Sequence, residues 1–177
     1  MDAGRPALDL VNAAPFADGD AVVAWLVRAL LLGGPAPAPD GLLAEARALR
    51  DAIDACVVAV VEGREPDAAA VAVVDEWLAF AGARPQLVLA ADGAPRLTER
   101  PPADSPRRAL GMVALDAARL LGRSEERERI RICEADDCST RFFDRSPAAR
   151  RRWCSMSRCG NVAKARRHRA RARERAA

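Results

Sequence analysis

At 177 residues, half of them hydrophobic and 30% charged, the chain can hold one ordinary domain plus a small module and is too apolar to be disordered. No apolar run approaches the roughly 20 residues that span a bilayer, and Met1-Asp2-Ala3-Gly4-Arg5-Pro6 has no basic region leading into an apolar one. No membrane span or signal peptide is expected, and the cytoplasm is the expected location. The net charge of +3 averages two unlike parts: residues 123–177 hold 17 Lys and Arg against 8 Asp and Glu, which leaves 11 against 17 for residues 1–122.

In chain order, Ala7-Leu8-Asp9-Leu10-Val11-Asn12 alternates in part and predicts a short strand or an extended lead-in. Asp18 or Asp20 caps a helix through Leu32, with Val22, Val23, Trp25, Leu26 and Leu30 near one face. Gly33-Gly34-Pro35 ends it, and the Ala-Pro alternation through Pro39 is a stiff connector. Asp40 caps a long helix in which Leu42, Ala46, Leu49, Ile53, Cys56, Val57 and Val60 recur at three and four residues, and Gly63 stops it. A third helix opens around Pro66-Asp67 and runs to Ala81 over Val71, Val74, Trp77 and Leu78. Gln86 to Ala90 and Arg96 to Glu99 read as the strands of a hairpin turning at Asp92-Gly93. Ser105-Pro106 opens a last helix to Leu121, stopped by Gly122. Residues 1–122 therefore form an α+β body, mostly helical with a small β-hairpin.

This body shows no glycine-rich phosphate loop and no acid–base cluster, and no enzyme is expected. Cys56 lies in an apolar run, where a small buried hydrophobe is the reading rather than a nucleophile, and the sole histidine, His168, lies far away in the basic tail. Asp9 and Asn12 flank Leu10-Val11 and could line a pocket; a cap or the polar face of an edge strand is the stronger reading.

Residues 123–177 carry the chemistry. Cys133-x4-Cys138-x15-Cys154-x4-Cys159 supplies four thiolates, the donor set of a closed tetrahedral zinc site. Disulfides do not suit the cytoplasm, and a catalytic zinc would keep one position open. An iron–sulfur cluster uses the same donors but has no supporting motif here. Structural zinc is the preferred reading. The fifteen-residue spacer has room for a hairpin, yet Phe142, Phe143 and Trp153 are its only large hydrophobes, so metal is expected to drive folding of this segment.

Trp153-Cys154-Ser155-Met156-x-x-Cys159-Gly160-Asn161 and then Lys164, preceded by the first cysteine pair, Phe142, Asp144 and Arg151-Arg152-Trp153, resembles the CGNR zinc finger over about residues 130–172. Leu8-Asp9-Leu10-Val11-Asn12 is similar to the opening of the ABATE-type domain that precedes this finger in the family, a domain associated with stress-induced transcription regulation. The resemblance implies one structural Zn2+ on Cys133, Cys138, Cys154 and Cys159, and DNA as partner; Val162 stands where the family name has arginine.

The residues add their own support. From Arg145 to Ala177, 12 Lys and Arg stand against one acid, Glu174. A helix starting at Ser155 or Ser157 would carry Asn161, Lys164, Arg166, Arg167, His168, Arg169, Arg171 and Arg173, with no broad apolar face. With Arg150, Arg151 and Arg152 these are the candidate nucleic-acid contacts. A DNA-binding transcriptional regulator is expected, in which residues 123–177 bind DNA and the body senses a signal, such as a small-molecule effector, or forms a homodimer. The alternatives are a zinc-dependent module that binds an acidic protein or RNA, and a tail that is merely solvated.

Overall fold

Helix α5 (Pro106–Gly122) is the element against which the others pack. The computed structural model describes residues 3–82, 86–91, 93–98 and 101–174, with the side chains of Gln86, Val88, Thr98, Arg167, His168 and 170–174 outside that description. On α5, Ala109, Leu110, Val113, Ala114, Ala117 and Leu120 recur at helical spacing and are fully buried. Each large member contributes about 1.5–3 kcal/mol relative to exposure. Helices α1 (Pro6–Val11), α2 (Gly19–Arg28), α3 (Leu42–Val61) and α4 (Ala68–Leu78) surround this face. Gly111 is required at one crossing. A Cβ there would lie 2.7 Å from the Phe80 carbonyl carbon and 2.8 Å from the Ala81 nitrogen, so the chain leaving α4 passes α5 at backbone distance.

Two expected caps are present. The Asp18 carboxylate accepts from Ala21 N at 2.8 Å, and that of Asp67 from Ala69 N at 2.8 Å. Helix α3 differs, because its N-cap is Gly41 in the left-handed region (φ 81) and no side chain caps it. Asp40 instead offers its carbonyl to Arg107 Nη2 at 2.9 Å. Helix α2 ends at Arg28 rather than running to Leu32. Leu31 and Leu32 leave it to reach the core, Leu32 pairs with Ala103 in a parallel bridge, and Leu30 makes the turn at φ 57.

The segment expected to be extended, residues 7–12, is helical. Pro6 supplies a first helical position without an N–H to satisfy, Ala7 N donates to Asp116 Oδ2 on α5 at 3.0 Å, and Ala7, Leu8 and Leu10 are buried. Six residues are too few for helical periodicity to show, and the cap comes from 109 residues away.

Strands β1 (Gln86–Leu89) and β2 (Pro95–Thr98) form the expected antiparallel hairpin, with Leu87 opposite Leu97 and Gly93 at φ 76 in the turn. Asp92 and Glu99 lie outside the described residues. Leu87, Leu89 and Leu97 are largely exposed. After α5, the short α6 (Ser124–Arg127) leads into β3 (Ile130–Ile132), which pairs antiparallel with β4 (Arg141–Phe143). The hairpin expected within the spacer is thus arranged differently: β4 lies in the spacer, its partner precedes Cys133, and the first cysteine pair occupies the connection. Ile130 is buried in the α5 core and Phe143 packs against it. Among the described residues no helix is long and apolar enough to cross a membrane.

Candidate metal centre and nucleic-acid interface

The sulfur atoms of Cys133, Cys138, Cys154 and Cys159 all lie within 4.8 Å of one another. Cys133 follows β3, and Cys133 N donates to the Thr140 carbonyl at 2.9 Å, continuing the ladder; Cys138 N then turns back onto the Ala135 carbonyl at 2.9 Å. The second pair is brought to the first through Glu134 N and the Arg152 carbonyl, 2.9 Å apart, reinforced by the Arg152–Glu134 ion pair. Cys138 Sγ is 3.8 Å from Cys154 Sγ, which is 3.7 Å from Cys159 Sγ. A zinc ion with Zn–S bonds of about 2.3 Å spaces tetrahedral ligands by about 3.8 Å. The donor set and its spacing therefore fit one structural Zn2+.

Electrostatics give the same answer. Burial raises the Cys154 thiol, hydrogen bonds with Cys159, Cys133 and Cys138 raise it further, and it is pushed up to about 12. Burial also raises Cys138, but hydrogen bonds from the side chain and backbone of Thr140 and from neighbouring sulfurs outweigh it and bring it down to about 7. Four converging thiolates oppose one another unless a cation sits among them.

The loop between the pairs is set by a residue that the sequence offered only as part of a motif. Asp144 is completely buried; its Oδ1 accepts from Ser146 N at 2.9 Å and its Oδ2 from Arg151 N at 2.8 Å. Burial works against the charge, yet these hydrogen bonds and the Arg151 cation leave the carboxyl below its ordinary range. Arg151 Nη2 donates to the Cys154 carbonyl at 2.7 Å, and its guanidinium lies 5.2 Å from the Phe142 ring. Gly160 has a steric reason as well: an added Cβ would meet Met156 Sδ at 2.9 Å and Trp153 at 3.4 Å.

Ser155 caps the element that follows, accepting from Arg158 N at 3.3 Å. A π-helical turn, Met156–Gly160, carries Cys159 and runs directly into α7 (Asn161–Glu174). Arg150, Lys164 and Arg169 are exposed, as is Arg158, which the sequence reading passed over although it lies between the second pair of cysteines. Asn161 is exposed and its Nδ2 reaches the Ser157 carbonyl at 3.4 Å. Arg151 faces the centre as described, and Arg152 is paired with Glu134. Arg166 is held by Asp136, at 2.9 Å, and by Asp137 of the first cysteine loop. The side chains of Arg167, His168, Arg171 and Arg173 lie outside the described residues.

Of the two polar residues flanking Leu10-Val11, Asn12 is a clamp. Its Nδ2 donates to the carbonyls of Leu8 and Arg141, both at 2.7 Å, and its Oδ1 accepts from Arg141 N at 2.9 Å. Asp9 Oδ1 accepts from Ala3 N at 2.7 Å, and the Ala3 carbonyl accepts from Phe143 N at 3.0 Å. Arg141 also pairs with Asp54 on α3 at 2.7 Å, and Arg5 joins Asp116 of α5 to Glu126 of α6. The metal-bearing hairpin is thus keyed to the helical body.

Comparison with known families agrees with this geometry. Residues 4–124 match the model of the ABATE family, described as a putative stress-induced transcription regulator, and residues 129–172 match that of the CGNR zinc finger. A search of curated proteins finds no match. The chain belongs to the ABATE family and ends in a CGNR zinc finger.

Proposed function

From that membership we propose that the chain is a cytoplasmic, DNA-binding transcription regulator, with residues 123–177 as its DNA-contacting module and residues 1–122 as its sensing part. The observation that carries the reading is a helix rooted in the four-cysteine centre on which Asn161, Lys164, Arg166 and Arg169 are exposed. One zinc ion fixes Cys159 in the π-helical turn, and the cations that follow have no apolar face to bury. Exposed Arg150, Arg158, Lys164 and Arg169 are the first contacts to phosphate, with Asn161 and the arginines further along α7 added. No chemical step is assigned to the protein.

If about six phosphates are neutralised, the logarithm of affinity falls against the logarithm of salt concentration with a slope near −5. Fluorescence anisotropy with labelled duplex DNA measures this, and selection from genomic fragments separates a sequence-specific regulator from a uniform binder. Salt-insensitive binding, or no retention of DNA, refutes the reading and favours an acidic protein or RNA as partner. A homodimer is a second role for the body, favoured by exposed Leu87, Leu89 and Leu97 on β1–β2. Sedimentation of a Leu87→Lys, Leu97→Lys variant tests it, a monomeric native chain being the adverse result.

A further inference from the structure

A cavity of about 550 Å³ lies where α3, α4 and α5 meet, and none of the four clustered cysteines lines it. Val60 and Cys56 of α3, Val74 and Leu78 of α4, and Ala118 and Leu121 of α5 form its walls. Three charged side chains reach it, and they are not equivalent. Arg64 is exposed and paired with Glu62. Asp75, on the lining as well, is exposed. Arg127, on α6, is half-buried, and its Nη1 donates to the Leu121 carbonyl at 2.7 Å. Among the described residues no carboxylate pairs with it. The carbonyl holds the guanidinium in place while leaving Nε and Nη2 free to donate.

An apolar cavity of this size with one oriented cation at its edge has the make-up of a small-molecule site. The planar guanidinium fork matches a carboxylate, and Asp75 disfavours a second negative group. We propose that this cavity binds a small monocarboxylic acid, with its hydrocarbon body against Val60, Val74 and Leu121 and its carboxylate on Arg127. This deepens the reading of residues 1–122 as the sensing part by naming its ligand class, with the carboxylate anchor, Arg127, supplied by the segment that joins them to the metal module. The site is also placed to matter for the metal module. Helix α6, which carries Arg127, leads directly into β3, and β3 ends one residue before Cys133.

Isothermal titration of the zinc-loaded full chain with octanoate, phenylacetate and uncharged octanol tests the proposal without DNA present. At least one acid is expected to bind saturably at one site, and octanol at least about tenfold more weakly. Arg127→Gln should weaken the acid by roughly 10- to 100-fold, the range of a charged hydrogen-bonded contact, and leave octanol unchanged. Val71→Trp, at a half-exposed position on the lining, should weaken acid and alcohol together while the melting temperature stays that of the native chain. Absence of saturable binding by both acids overturns the proposal, as does acid binding indifferent to Arg127→Gln or to Val71→Trp. Because the titration needs no DNA, failure of the DNA-binding reading would leave its result intact, and the converse also holds.

Discussion

Replacing Asn12 by alanine is the most direct perturbation of the joint between the body and the metal module. In the β3–β4 ladder, Cys133 N bonds to the Thr140 carbonyl and Ile132 faces Arg141. The alternation of antiparallel pairs then turns the Arg141 N–H and C=O away from β3. Asn12 meets both, at 2.9 and 2.7 Å. Its third contact, to the Leu8 carbonyl, matters less, because that oxygen also accepts from Asn12 N at 3.0 Å. Alanine therefore leaves two backbone groups of a strand edge without their partner. At about 1–3 kcal/mol for each group left unsatisfied, reduced because the site is only half-buried, the loss should be about 2–4 kcal/mol. That is a large part of the roughly 5–15 kcal/mol of a typical domain, yet insufficient to unfold the chain. Urea denaturation followed by circular dichroism reads the stability, and transfer of zinc to a chromophoric chelator reads the hold of the hairpin on the metal. A change below about 0.5 kcal/mol, less than a typical net hydrogen bond, with an unaltered transfer rate would refute the clamp.

Three further outcomes are expected. Chelation of the metal, or Cys154→Ser, should remove hydrogen-exchange protection from residues 133–174 while the α3 and α5 amides keep theirs, because the apparent binding energy of structural zinc, on the order of 10–16 kcal/mol, has no apolar substitute there. In the folded geometry without metal, burial and then neighbouring sulfurs raise both Cys154, to about 12, and Cys159, and once the segment unfolds its thiols return to their ordinary value of about 8.5. Both thiols then hold protons at neutral pH, so zinc must displace about two or more of them, and its affinity should rise with pH and fall on acidification. Calorimetry in buffers of different ionisation enthalpy counts the protons, and zinc binding without proton release would be the adverse result. Finally, Asp136→Asn with Asp137→Asn should free Arg166 for phosphate, tightening DNA binding and steepening the salt slope by about one; an unchanged slope would leave Arg166 out of the contact surface.

The sequence disclosed those features whose cause is local. Asp18 and Asp67 cap the next turn, Pro106 opens α5, and four cysteines at matched spacing converge because each pair spans a single loop. Features whose cause is distant stayed hidden. Helix α1 is capped by Asp116, and β3 is three residues long and finds its partner beyond a cysteine loop. Arg151 and Arg166 sit in a basic run where any arginine looks free, yet one is tied to Asp144 and Cys154, the other to Asp136 and Asp137. What separates them from Lys164 or Arg169 is where the loops bring carboxylates and carbonyls, which spacing alone does not encode. The cavity beside Arg127 is hidden for the same reason, since its walls come from α3, α4 and α5.

The contact between Asn12 and Arg141 also sets an order of events during synthesis. Its two partners are 129 positions apart, and a ribosome adding about 5–20 residues per second needs roughly 6–26 s to cover that distance. Throughout that interval α1 has been made, while the strand edge it grips has not. Helix α1 is too short to hold itself, so it must wait, with Leu8 and Leu10 unburied, until Asp116 of α5 has emerged to cap it, and the Asn12 clamp waits longer, for Arg141. A chaperone that recognises exposed leucines would have its window before then, and a ribosome stalled before Asp116 has emerged should display α1 to a protease that the finished chain resists.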